Sequence, residues 1–277
     1  MPKQLLPPKT ENKRALVSIA HADDLLLFIG GTVAALVKAG WMVGVVRATD
    51  DRWDSYQLSV EETIIKNQNE FNLAMNEIGV SKIYELALPT DQLGDYSEVE
   101  LRMAFIKVIR EFKPYLTITF DPDSYLYEDN QDHKKVGIAM AEANWAAGFD
   151  KHPNAGANQL APYLPMANWY FGRVVAKPTH YVDVSKSFKK VITAASLHKT
   201  MLINMARQLE IKAGSDNLKL NITSDVKQLP VKLLEWHNNH DVVDMQVQCR
   251  RLWEDWLSFK GFSKTVGNIL LNNLKKN

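Results

Sequence analysis

Four short apolar runs, each too brief for a helix, alternate with longer segments of helical periodicity between residues 15 and 120, and this alternation restricts the fold more than any other feature. The runs are Ala15 to Ile19, Met42 to Ala48, Ile83 to Leu88 and Leu116 to Phe120. Short and rich in apolar residues, they read as strands of a parallel sheet, the first two as buried ones. Between them, Leu25 to Ala39 is closed by Gly40. Val60 to Ile78 has Ser59 as N-cap, Glu62 three residues on and Gly79 at its end. Glu98 to Phe112 is followed by Lys113-Pro114. The βαβαβαβ order predicts an α/β fold with a doubly wound, mostly parallel sheet flanked by helices.

Beyond Phe120 the pattern loosens. Gly148 to Pro165 reads as a surface loop, Trp169 to Val175 and His180 to Val184 as strands, and Val184 to Met205 and Val242 to Phe259 as helices. With no repeat or linker, the expectation is one domain over 1–277, with a core at about 14–201 and a helical C-terminal elaboration over 202–277.

In a doubly wound sheet, ligands bind outside the carboxyl ends of the strands where strand order reverses. Polar residues after the first and fourth runs therefore carry the functional reading: His21, Asp23 and Asp24 in one loop, Asp121, Asp123, Asp129, Asp132 and His133 in the other. His21 and Asp24, three apart on a strand-to-helix turn, can point at one ion, and His133 can complete a two-His, one-carboxylate set that leaves positions for water, the arrangement of catalytic zinc. Asp23 is then free to move protons. The same residues allow a plainer account, in which Asp23 or Asp24 caps the helix at Leu25 and His133 merely begins another.

Composition narrows the partners. Lys and Arg number 33 against 32 Asp and Glu, so no basic excess exists for nucleic-acid binding. Cys249 is the sole cysteine and cannot pair within the chain; it reads as a small buried hydrophobe. The segment MPKQLLPPKTENKR lacks the apolar stretch of a signal peptide, and no window suits a membrane span. A soluble, cytoplasmic protein is expected.

The order Ala20-His21-Ala22-Asp23-Asp24, then Gly30-Gly31-Thr32, resembles the Ala-His-Pro-Asp-Asp…Gly-Gly-Thr signature of the LmbE-like, or PIG-L, family of metal-dependent N-deacetylases. Thr49-Asp50, Glu70 and Ala74 before Ile78-Gly79-Val80, Lys113-Pro114, Asp132-His133 before Val136-Gly137, and His180 to Val184 with Lys190 and His198 extend the likeness over about Arg14 to Met201. The resemblance implies a Rossmann-like fold and hydrolysis of an N-acetyl group from a glucosamine-type sugar. It implies one Zn2+ per chain on His21, Asp24 and His133, with Asp23 as general base. Apart from the resemblance, Asp132 reads as a carboxylate that orients a ligand histidine or as a solvated helix-start acid, Asp91 as a contact to a substrate hydroxyl or an ordinary turn residue, and Arg52 and Trp53 as the lining of a sugar pocket or plain loop anchors. The partner would be a small amino-sugar substrate, with homo-oligomers an option.

Three departures stand out. Ala22 replaces the proline, Leu25 to Leu27 replace an acidic residue, and Asn130 stands where the family has a histidine of its His-x-Asp-His. An amide can donate to an oxyanion but cannot deliver a proton, which turns attention to His198 or Tyr127 and admits a weakly active or non-catalytic member that binds metal and sugar. Asn67 replaces an arginine three residues before Glu70. Gly30-Gly31 lacks the GxGxxG order of a dinucleotide site and reads as a close helix contact. A metal-free nucleotide-binding module is the remaining alternative. His152, His237 and His240 read as surface residues, and Lys275-Lys276 is too short for a nucleic-acid arm.

Overall fold

The computed structural model describes residues 3–124, 126, 128–152, 160–172, 179–184 and 186–215. Tyr127, His237, His240, Cys249, the expected helix over 242–259 and Lys275-Lys276 lie outside them.

The core is a five-stranded parallel sheet formed by β2 (Arg14–Ile19), β3 (Met42–Thr49), β4 (Lys82–Leu88), β5 (Leu116–Phe120) and β6 (Ala167–Phe171), in the order β4-β3-β2-β5-β6. A separate parallel pair joins β1 (Lys3–Gln4) to β7 (His180–Tyr181). The chain steps outward from β2 to β4, then returns to place β5 against β2 on the other side. Strand order therefore reverses between β2 and β5, and the loops leaving these two strands flank one crevice.

Every residue of β5, and all but the first of β2 and of β3, is buried, including the polar Ser18, Arg47, Thr49, Thr117 and Thr119, whereas β4 at the sheet's edge is only partly buried. Two groups of helices flank the sheet. One comprises α1 (Gly30–Lys38), α2 (Val60–Ile78) and α5 (Phe188–Ala195); the other, α3 (Glu98–Phe112) and α4 (Gln131–Ala146). The expected start and stop signals of α2 are both present. Ser59 and Glu62 form a reciprocal capping box, and Gly79 ends the helix in the left-handed conformation at φ +98°.

Several elements differ from the sequence reading. Leu25 to Ala39 is not one regular helix: residues 25–29 form a wide π turn ahead of α1. Neither aspartate caps it, because Asp24 turns its carboxylate back toward the preceding strand. The helix expected over Val184 to Met205 is broken at Ser196–His198. Glu70 of α2 accepts from Thr200 N at 2.8 Å and so starts a second helix, α6 (Lys199–Ser215). β6 begins earlier than expected, at Ala167, and β7 pairs outside the main sheet.

Glycines decide two contacts. A Cβ on Gly137 would lie 2.8 Å from Phe120 O, so glycine lets α4 approach β5. A Cβ on Gly31 would meet Val184 at 2.5 Å, and one on Gly30 would meet Val191 at 3.0 Å. These glycine faces are covered by side chains rather than open to a phosphate.

Candidate metal centre

The turn after β2 is held by its own side chains. Asp24 Oδ2 accepts from Ala20 N at 3.0 Å and His21 N at 2.7 Å, which curls His-Ala-Asp-Asp back over the end of the strand. Asp51, after β3, accepts from Ala22 N at 3.1 Å and from the buried Arg47 guanidinium at 2.6 Å. From the other side of the crevice, α4 presents His133, whose ring stacks on Phe120 with centroids 4.2 Å apart.

Three buried side chains meet here. His21 Nδ1 lies 3.1 Å from His133 Nε2 and 3.5 Å from Asp24 Oδ2, and His133 Nε2 lies 3.1 Å from Asp24 Oδ1. Zinc with bonds of roughly 2.0–2.1 Å in a tetrahedron separates its ligands by about 3.3 Å, so the donor set fits a divalent cation in both spacing and chemistry. The far nitrogens also face carboxylates: His21 Nε2 faces Asp132 Oδ2 at 3.3 Å, and His133 Nδ1 faces Glu128 Oε1 at 3.3 Å. Asp132 behind His21 fixes the orientation of that imidazole, as at histidine metal sites generally, whereas Glu128 approaches His133 Nδ1 without hydrogen-bond geometry. Asp132 is fully buried and accepts from Asp91 N at 2.7 Å and Leu93 N at 3.0 Å.

The local field is strongly uneven. Burial alone would raise Asp24, but His133 and His21 outweigh it and hold its carboxyl far below the usual carboxylate range. Burial would lower both imidazoles; Asp24 and Asp132 lift His21 well above its ordinary value, and Asp24 and Glu128 lift His133. Asp23 makes no side-chain hydrogen bond among the described residues. Burial, then Asp24 and Asp54, push it up to about 7.

Residues 16–144 match the family model for PIG-L, GlcNAc-PI de-N-acetylase. A diacetylchitobiose deacetylase of Thermococcus kodakarensis is 27% identical over 70% of this chain and 72% of its own length. A 1D-myo-inositol 2-acetamido-2-deoxy-alpha-D-glucopyranoside deacetylase of Mycobacterium sp. (strain JLS) is 26% identical over 76% of this chain and 80% of its own. Among solved structures, the N,N'-diacetylchitobiose deacetylase from Pyrococcus horikoshii superposes with a TM-score of 0.63 at 25% identity, covering 73% of this chain and 78% of that one. A conserved protein from Thermus thermophilus, at 20% identity and TM-score 0.57 over 73% of this chain and 88% of its own, shares the fold.

The other residues singled out from sequence take different places. Asn130 caps α4, its Oδ1 accepting from Asp132 N at 2.8 Å and His133 N at 3.3 Å. Asp91 is exposed at the rim, with φ +63°. Arg52 is turned onto Asp50, at 2.5 Å. His198 is not part of the cluster: it is 1% exposed in the break between α5 and α6, its Nε2 has no hydrogen-bond partner among the described residues, and burial with the charge of Arg47 lowers it to about 3. That seclusion leaves it unable to touch a solute in the crevice. Asn67, in the place of the family arginine, donates to Asp51 O at 3.0 Å and Asp54 O at 3.1 Å and so pins the loop after β3. Sequence reasoning missed Glu128, Asp51 and Arg47. Only Arg47 left a signal, a charge inside the apolar run Met42 to Ala48.

Proposed function

We propose that this chain is a zinc-dependent N-acyl hydrolase that removes the acetyl group from an N-acetylglucosamine-type sugar or glycoconjugate. The observation that carries this reading is the meeting of His21, Asp24 and His133 at the reversal of strand order, beside the carboxyl group of Asp23, which has no hydrogen-bond partner among the described residues. These three residues would hold the ion. Zinc bound there would polarise the acetamide carbonyl and bring the pKa of a water down to roughly 7.

The chain's own residues would do the rest. Asp23, adjacent to the ligand Asp24 and making no side-chain hydrogen bond among the described residues, takes a proton from the attacking water and returns it to the departing amine. Asp132 holds the His21 imidazole in register. Asp91, exposed one residue beyond Thr90, accepts from a sugar hydroxyl. Asn130 spends its carbonyl oxygen on the α4 cap, leaving its amide NH2 to donate to the developing oxyanion.

The test is metal analysis of the purified protein together with acetate release from N-acetylglucosamine and N,N'-diacetylchitobiose. His21→Ala should lose both zinc and activity; retention of both overturns the site. A second reading, a member that binds metal and sugar without efficient hydrolysis, is favoured by one observation: the side chain at position 130 carries no transferable proton. Asn130→His should then raise turnover, although it also removes the α4 cap, worth about 1 kcal/mol.

A further inference from the structure

Trp53 lies in the loop after β3, which is fastened at many points. Asp50 N donates to Leu88 O at 2.9 Å, Asn67 ties down Asp51 and Asp54, and Ser55 Oγ meets Thr63 Oγ1 at 2.6 Å. Its indole N–H donates to Thr90 O at 3.1 Å, and Thr90 in turn donates through its hydroxyl to Asp50 at 3.3 Å, so the loops after β3 and β4 are laced together beneath the ring. Yet the residue is 51% exposed. An apolar ring left in water contributes little to folding, whereas a ring that cannot swing loses little entropy when a ligand covers it.

The ring also stands at the right place. The residue after Thr90 is Asp91, whose N–H bonds Asp132 at 2.7 Å, and Asp132 lies 3.3 Å from His21 Nε2. One residue and one carboxylate therefore separate the Thr90 tether from the metal-binding histidine. The charges near the ring exclude some ligands. Arg47 is paired with Asp51 and Glu85, and Arg52 with Asp50, while the exposed Asp91 adds a carboxylate that forms no ion pair among the described residues. A phosphorylated or acidic group would meet repulsion there; an uncharged ring with C–H faces would not.

We propose that Trp53 is the platform for a second, uncharged pyranose ring linked to the N-acetylated sugar, stacking its indole face on that ring. This rests on the deacetylase reading above and selects, within it, neutral oligosaccharides over phosphorylated conjugates.

The test uses the full chain loaded with zinc. The ratio of kcat/KM for N,N'-diacetylchitobiose to that for N-acetylglucosamine should fall about fivefold to tenfold in Trp53→Ala, in line with aromatic stacking energies. A ratio unchanged within twofold overturns the proposal. Trp53→Phe, which keeps a ring but cannot donate to Thr90, should recover most of the ratio; a Phe variant as poor as Ala assigns the effect to the loop tether and overturns the platform. Calorimetric binding of N,N'-diacetylchitobiose is the arm independent of catalysis. If the wild type binds the disaccharide without releasing acetate, the deacetylase reading fails, while weaker binding by Trp53→Ala still supports the platform. Equal binding by wild type and Trp53→Ala, or none by either, overturns it.

Discussion

Asp23 and Asp24 are adjacent, chemically identical and electrostatically opposite. Asp24 faces two imidazoles that overcome its burial and keep it ionised, while Asp23 has burial and two neighbouring carboxylates pushing it up to about 7. Such a division suits one to a ligand and the other to proton transfer. In the zinc-loaded protein Asp23→Asn should retain the metal and lower kcat by roughly 10²–10⁴-fold; loss of zinc in that variant would make Asp23 a ligand instead. Asp132→Asn keeps the shape but weakens the acceptor behind His21. It should reduce zinc affinity about 10- to 100-fold, read by competition with a chromophoric chelator. Sequence pointed to both aspartates through spacing alone. It could not reveal Glu128 behind His133, because that pairing depends on how the loop after β5 folds back rather than on any local pattern.

At the scale of elements, the position of α4 decides whether His133 reaches the cluster. Gly137 sits one turn beyond His133 and permits the helix to touch the backbone of β5. Gly137→Ala would bring a Cβ within 2.8 Å of Phe120 O, a contact that only a shift of the helix relieves. The expected outcome is a loss of about 1–3 kcal/mol in a denaturant titration, together with weakened zinc binding. Gly94→Ala is the control, since its Cβ would meet Gln131 at an ordinary 3.7 Å and should change neither measurement. α2 was readable to the residue because its capping box and terminal glycine are local signals. The break before α6 was not, because the group that starts α6 is Glu70 of a distant helix.

For the molecule as a whole, the acids and imidazoles of the crevice link stability to pH and to metal. His21 and His133 bind protons more tightly folded than unfolded, so their contribution is complete below about pH 6.5 and is lost as pH rises through their raised values. Asp23 and Asp54, each lifted to about 7 chiefly by burial, hold protons that the unfolded chain releases near pH 4, so they too withdraw stability as pH rises from about 4 to 7. Asp24 works the other way, its contribution complete above about pH 4 and fading as pH falls below it. The metal-free protein should therefore show a Tm that falls from about pH 5 to pH 8. Zinc, a counter-charge for the same groups, should flatten that slope. Scanning fluorimetry with chelator and with zinc checks both, and a metal-free Tm that climbs over this range contradicts the account. The alternation of short apolar runs and helical segments determined the parallel α/β sheet, because strand and helix periods are written locally, although only β2, β3 and β5 are buried along nearly their whole length and the edge strand β4 is not. The polar residues after the first and fourth runs marked which loops to read, and the order β4-β3-β2-β5-β6 places those loops on either side of one crevice. Only tertiary structure decided that Asp24 turns back on its strand, that Asn130 is occupied as a cap, and that His198 is sealed in the interior, because each depends on which distant backbone N–H, helix or charge the chain brings alongside.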